Sequence, residues 1–116
     1  MRGRARRGVL ADPERKDPGM TIQIVVTFDL VPERLAPTLA AFQELARHTR
    51  REVGALRFDV FRSEAEEHTV VLVEDWADQE AIDLHMKQEY TRAFLAAVDG
   101  AFRTPARVHR LAEIGG

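Results

Sequence analysis

The chain reads TIQIVVTFDL over residues 21–30, and every second side chain in this stretch is hydrophobic. The alternation places these side chains on one face of an extended backbone and predicts a β-strand. Similar runs follow as ALRFDVFR over residues 55–62 and HTVVLVEDW over residues 68–76. In the middle run, the hydrophobic face is expected to hold Leu56, Phe58 and Val60. Residues 63–67 are polar and have the length of a hairpin loop.

Between the first two strands, hydrophobic residues recur at helical spacing. Pro32 opens this predicted helix, which ends by Arg51. The hydrophobic positions are Leu35, Leu39, Phe42, Leu45 and Ala46. Their spacing of three and four residues indicates an amphipathic helix with one face on the core.

A second helical region follows the third strand. Asp78 is a suitable N-cap for a helix from Gln79 to about Gln88, and a further helical stretch covers residues 90–98. Residues 105–114 form the weakest predicted strand, with Pro105 at its start. The resulting order, β-α-β-β-α-β, predicts an α+β ferredoxin-like fold.

The third strand is hydrophobic on both of its faces. Val70 and Leu72 point one way, and Val71 and Val73 point the other way. An antiparallel sheet covered by helices on one side only should carry polar residues on its second face. We therefore expect a second copy of the chain to cover this face, giving a homodimer in which two sheets meet.

Composition excludes several classes of protein. The 116 residues are 45% hydrophobic and 31% charged, with a net charge of −2 and no cysteine. Disulfides, thiolate nucleophiles and cysteine-based metal sites are therefore excluded. The net charge gives no general attraction to nucleic acid or to anionic lipid, and no hydrophobic run is long enough to span a bilayer. We therefore expect a cytoplasmic protein without a nucleic-acid or membrane partner. The four histidines lack the spacing of a metal site, so no metal is expected.

The N-terminal residues differ from the rest of the chain. Residues 1–19 hold 6 basic and 3 acidic side chains and lack hydrophobic periodicity. We expect them to form a disordered basic tail, with Met20 as a second candidate start. Residues 20–116 are then predicted to form one domain.

Two motifs resemble those of the antibiotic biosynthesis monooxygenase (ABM) family. Residues 49–60, TRREVGALRFDV, resemble its T-R-x-E-x-G-x-x-x-F-D-V segment. Residues 73–81, VEDWADQEA, with His85 resemble its E-x-W-x-D-x-x-A-x-x-x-H block, and Tyr90 and Phe94 also fit. The resemblance implies a dimeric α+β barrel, often a monooxygenase of quinols or polyphenols that uses no metal, flavin or haem. The expected partners are then a small aromatic substrate and O2, with no cofactor.

The sequence also departs from some relatives. Many carry a second histidine five residues after the first, where this chain has Tyr90. Haem-degrading members carry an asparagine in the first strand, and residues 21–30 contain none. Other relatives isomerise small phosphorylated ketones, which the sequence does not exclude. A dimeric barrel that binds an aromatic ligand without catalysis is the alternative from a different class.

Two titratable residues are candidates for catalysis. His85 lies near the hydrophobic face of its helix, where it is either a hydrogen-bonded histidine at the core edge or a general base for a phenolic hydroxyl. Glu74 is either an ion-pair partner of an arginine or, if held in a dry cleft, an acid or base with a raised pKa.

Three further residues are candidates for substrate binding. Trp76 shares a strand face with Glu74 and is either a core anchor or a flat wall for an aromatic substrate. Tyr90 either orients a substrate oxygen or caps the helix junction. Arg57 either pairs with Asp59 on the surface or, if the second face encloses a cavity, anchors an anionic intermediate.

Overall fold

The computed structural model describes residues 21–115, and the predicted basic tail at residues 1–19 lies outside the described residues. The elements are β1 (Ile22–Asp29), a 3-10 helix (Pro32–Arg34), α1 (Leu35–Thr49), β2 (Ala55–Arg62), β3 (Thr69–Trp76), α2 (Gln79–Lys87), α3 (Glu89–Ala97) and β4 (Arg107–Arg110). One antiparallel sheet has the strand order β2-β3-β1-β4. The predicted ferredoxin-like fold is confirmed. Within the described residues, no helix is long and apolar enough to cross a membrane.

The core lies between one face of the sheet and the helices. Cross-strand pairing places Val26 opposite Leu72 and Phe28 opposite Val70, so hydrophobic positions of β1 and β3 form one layer. Phe42 of α1 packs against this layer, with its ring centroid 4.9 Å from that of Phe28. The alternation of the strands and the helical spacing of α1 therefore bury the same core.

The predicted second helical region is divided into α2 and α3. Asp78 is the N-cap of α2, where its Oδ1 accepts a hydrogen bond of 2.9 Å from the backbone N–H of Ala81. Gln88 then has an extended backbone with ψ 145°, which ends α2 before α3 begins. After this break, Tyr90 at the start of α3 stacks its ring on that of His48 near the end of α1.

Two predictions about the strands are wrong in detail. Leu56 was expected on the buried face, but its exposed fraction is 54%. The pairing of β2 with β3 shifts between Ala55 and Arg57, and this irregularity takes Leu56 out of the alternation. The last strand covers Arg107–Arg110 in place of 105–114, because its pairing with β1 extends over four residues only.

The second face of the sheet carries no helix among the described elements. Val71 lies between Thr27 and Phe61 on this face, and Val73 lies beside Val25. Phe61 is 48% exposed. The prediction that both faces of β3 are hydrophobic is confirmed, whereas the homodimer stays a prediction.

Candidate functional site

The loop after α1 approaches the first turn of α2 very closely. Gly54 accepts a hydrogen bond of 2.9 Å from the backbone N–H of Ala77 through its carbonyl oxygen. A Cβ atom at Gly54 would lie 2.3 Å from the Cβ of Ala81, so only glycine fits at this position. His85 lies one turn after Ala81 on the same buried face of α2. The close approach therefore brings His85 beside Glu52, two residues before the glycine.

Glu52 and His85 form a buried pair. His85 Nδ1 lies 3.0 Å from Glu52 Oε2, and their side chains are 8% and 12% exposed. The hydroxyl of Tyr90 donates a hydrogen bond to the same carboxylate oxygen. Thr91 Oγ1 lies 3.4 Å from His85 Nδ1. Within the described part of the chain, His85 Nε2 has no hydrogen-bond partner.

Glu74 and Trp76 form a second pair at the end of β3. Trp76 Nε1 donates a hydrogen bond of 2.6 Å to Glu74 Oε1, and the indole has no exposed surface. Burial raises the pKa of the Glu74 carboxyl, although the Trp76 hydrogen bond and the nearby His85 both act in the opposite direction. This carboxyl group is therefore a stronger proton acceptor than an exposed glutamate.

Aromatic rings join the two pairs. The ring centroids of Trp76 and His85 are 4.9 Å apart. The ring centroid of Phe58 lies 6.2 Å from that of Trp76 and 5.7 Å from that of His85. The imidazole thus lies among aromatic rings, with the Glu52 carboxylate on Nδ1 and the Glu74 carboxyl group nearby. Such an arrangement can hold a proton and release it within a largely dry space.

Tyr90 remains a neutral phenol in this environment. Burial raises its pKa, and the hydrogen bond to Glu52 together with the charge of that carboxylate raises it further. One face of its ring stacks on His48, with centroids 4.8 Å apart. The ring is therefore fixed on one side by α1 while its hydroxyl is fixed by Glu52.

The structure brings together four of the five predicted site residues. His85, Glu74, Trp76 and Tyr90 lie in one cluster, joined by the Trp76–Glu74 hydrogen bond, the Trp76–His85 ring contact and the shared Glu52 carboxylate. Arg57 does not join them, because it is paired across the sheet with Asp75 and so points to the opposite face. Its Nε donates a hydrogen bond of 2.7 Å to Asp59, which is the surface pair considered as its alternative.

Glu52 contacts both His85 and Tyr90 but was not predicted as a site residue from the sequence. It is the glutamate of the T-R-x-E-x-G segment, and that position in a motif was the signal available. The same segment contributes Thr49, whose hydroxyl is fully buried and has no hydrogen-bond partner among the described residues. No group of three histidine, aspartate or glutamate side chains within residues 21–115 is arranged to hold a metal ion.

Comparison with known proteins assigns the family. Residues 21–97 match the sequence model of the family described as antibiotic biosynthesis monooxygenase. The chain belongs to this family. The resemblance inferred from the two motifs of this ABM chain is thereby confirmed.

Individual relatives agree with this assignment. The chain is 32% identical over 79 residues to a Bacillus subtilis (strain 168) protein named "Putative monooxygenase YcnE", covering 68% of this chain and 83% of that one. The fold of the present chain is similar to that of Rv0793 from Mycobacterium tuberculosis, with a TM-score of 0.75 and 22% sequence identity. The match covers 83% of this chain and 97% of Rv0793. PA3566 from Pseudomonas aeruginosa gives a TM-score of 0.76 and 18% identity, over 83% and 96% of the two chains. These two structures support the fold.

Proposed function

We propose that this ABM chain is a cofactor-independent monooxygenase that oxidises a hydroquinone or a polyphenolic substrate with O2. The observation that supports this most is the state of His85, which is buried with Nδ1 against a carboxylate and Nε2 uncommitted. A histidine held in this way is suited to removing a phenolic proton near neutral pH. The anion of a hydroquinone or of an electron-rich polyphenol is a strong enough one-electron donor to reduce O2 directly.

In this proposal the substrate binds on the helix-covered face of the sheet, at the partly exposed end where β1 pairs with Glu74 and Trp76 of β3. Ile24 lies beside Glu74 across the β1–β3 pairing, and Ile22 lies beside Trp76. The two isoleucines and Glu74 are half-buried, unlike Trp76 itself. We assign to Trp76 the role of holding Glu74 by its N–H, and to the isoleucines the role of apolar surface under an aromatic ring.

The reaction begins with proton transfer from the phenolic hydroxyl to His85 Nε2. The phenolate gives one electron to O2, and the resulting carbon radical and superoxide combine to form a C–O bond. The protonated His85 returns its proton to the distal oxygen, which gives a hydroperoxide. His85 then removes the proton on the oxygenated carbon, and the O–O bond breaks to leave a carbonyl and hydroxide. Hydroxide takes the proton from His85, so one oxygen atom enters the product, the other becomes water, and the base is regenerated.

Oxygen uptake tests this proposal. Purified metal-free protein is given menadiol and a set of other hydroquinones, and O2 consumption is compared with autoxidation. We expect turnover by the unaltered chain and a loss on the order of 10²- to 10⁴-fold in His85→Asn, the range for removal of a general base. His68→Asn is the matched control, since His68 is a partly exposed histidine that directly precedes β3.

The same oxygen-uptake measurement can contradict the proposal. No uptake above autoxidation with any of the hydroquinones would remove the monooxygenase assignment. Saturable quenching of Trp76 fluorescence by quinones without turnover would then indicate an aromatic-binding protein that does not catalyse.

We also propose that the working unit is a homodimer formed through the second face of the sheet. Val25, Val71, Val73 and Phe61 form a continuous hydrophobic surface there. A surface of this kind is uncommon on a small monomeric domain. A C2 contact between two copies covers it with a self-complementary patch.

A further inference from the structure

We infer that Glu52 is a positioning residue that holds His85 in the tautomer with the proton on Nδ1, leaving Nε2 as the free base. The inference rests on the proposed function, in which His85 Nε2 accepts the substrate proton. It assigns a role to a residue that lies in another part of the chain, 33 positions before the histidine.

The hydrogen-bond pattern around Glu52 carries this inference. A carboxylate oxygen can only accept, so the His85 Nδ1 that lies 3.0 Å from Oε2 carries a proton. A neutral imidazole has one N–H, and its other nitrogen is then an acceptor with a lone pair. Because the side chains are 8% and 12% exposed, water competes little for this bond.

Tyr90 belongs to the same positioning group. Its hydroxyl proton is already donated to Glu52 Oε2, so the group is not a free donor for a substrate oxygen. We therefore replace the sequence-based expectation for Tyr90, that it orients the substrate, with a role in holding the carboxylate. Two donors on one oxygen, from α2 and from α3, fix the carboxylate between both helices.

The backbone around Glu52 is also held by hydrogen bonds. Its N–H donates to the carbonyl of Thr49 at 2.9 Å, and its carbonyl accepts from the N–H of Ala55 at 3.1 Å. These bonds link the carboxylate to the end of α1 and to the start of β2. Such a fixed partner is what selects one histidine tautomer in other catalytic pairs, where a carboxylate on Nδ1 orients the ring.

Nitrogen NMR of the histidine side chains tests the tautomer without any substrate. Protonated and unprotonated ring nitrogens resonate in separate ranges, so the neutral His85 ring should show Nδ1 protonated and Nε2 unprotonated. Glu52→Leu removes the acceptor and should shift the ring toward the Nε2–H form. Glu52→Asp retains a carboxylate acceptor and should keep more of the Nδ1–H form. Glu67→Leu is the matched control, because Glu67 pairs with His68 at the surface.

Kinetics provides the second readout. Glu52→Leu should lower kcat by as much as about 10⁴-fold, the loss seen when the carboxylate that orients a catalytic histidine is replaced, with little change in KM. Glu52→Asp should recover part of that loss. Tyr90→Phe should lower kcat by a smaller factor and leave KM unchanged, whereas a substrate-binding phenol would raise KM.

The two proposals fail in different ways. A wild-type ring protonated on Nε2 would overturn the inference, even if Glu52→Leu does not fold. An unchanged tautomer and kcat in folded Glu52→Leu would also overturn it. If no hydroquinone is oxidised but the tautomer still depends on Glu52, the positioning role holds and the monooxygenase proposal fails.

Discussion

At the scale of single residues, the environment of Glu74 is the least usual feature of the site. Its carboxyl group is held by a buried indole N–H, yet burial keeps its pKa above the ordinary value of 4.5. Desolvation of the charged form therefore outweighs the hydrogen bond that favours it. Folding therefore makes this carboxyl group hold its proton more tightly than it does in the unfolded chain.

The raised pKa of Glu74 predicts how the stability depends on pH. A carboxyl group with a raised pKa in the folded state stabilises the fold below about pH 4.5 and loses that contribution as the pH rises through the folded-state pKa. Glu74→Gln cannot ionise and keeps an oxygen for Trp76 Nε1. The Tm of Glu74→Gln relative to wild type should therefore rise between about pH 4 and about pH 7.

Thermal unfolding at several pH values checks this prediction. Glu67→Gln serves as the control, since the Glu67 side chain is 68% exposed, and its Tm should run parallel to that of wild type. A Tm difference between Glu74→Gln and wild type that stays constant with pH would contradict the prediction.

Single residues also show what the sequence could predict about the site. Glu74 and Trp76 were expected on one face because alternation along a strand is a local property. The partner of His85 could not be derived in this way. Glu52 is 33 residues away, and its contact depends on how closely two separate elements approach. Periodicity places a side chain on a face but does not give the distance across a loop.

At the scale of elements, Gly54 sets the approach of the α1–β2 loop to α2. In Gly54→Ala the new Cβ would overlap Ala81, so α2 must move away from the loop. We expect a loss of about 1–3 kcal/mol in the free energy of unfolding, the range for overpacking. The Glu52–His85 hydrogen bond should also lengthen, which lowers any activity that depends on His85.

A double-mutant cycle separates this steric cause from a general effect of the substitution. Ala81→Gly removes the opposing Cβ, at a cost of about 1 kcal/mol for glycine within a helix. Gly54→Ala with Ala81→Gly should then be more stable than the sum of the two single changes predicts. Additive losses, measured by urea unfolding, would show that the contact does not determine the position of α2.

The elements differ in how far the sequence determines them. β1, β3 and α1 were predicted nearly to their ends because they have strong periodicity and long hydrophobic faces. The irregularity at Leu56 and the shortness of β4 could not be predicted, since both depend on the register between strands. All four residues of β4 are exposed, so hydrophobic burial does little to define its length.

At the scale of the whole molecule, the sheet has two faces with different coverings. Helices bury Val70, Leu72 and Trp76 on one face. On the other face, Val71 and Val73 are half-buried and Phe61 is exposed. A domain of this size buries a limited part of its surface, so covering the second face would add substantially to its stability.

A hydrophobic residue replaced by aspartate should have different consequences on the two faces of the sheet. Leu72→Asp places a charge in the core and should unfold the chain. Val71→Asp places it on the second face, where it should separate the two copies and leave the fold intact. Leu84→Asp, on α2 with a 52% exposed side chain, is a control that should remain dimeric. Sedimentation gives the mass, and circular dichroism reports the fold. A wild-type chain that sediments as a stable monomer would contradict the homodimer, because the second face would then be exposed without a partner.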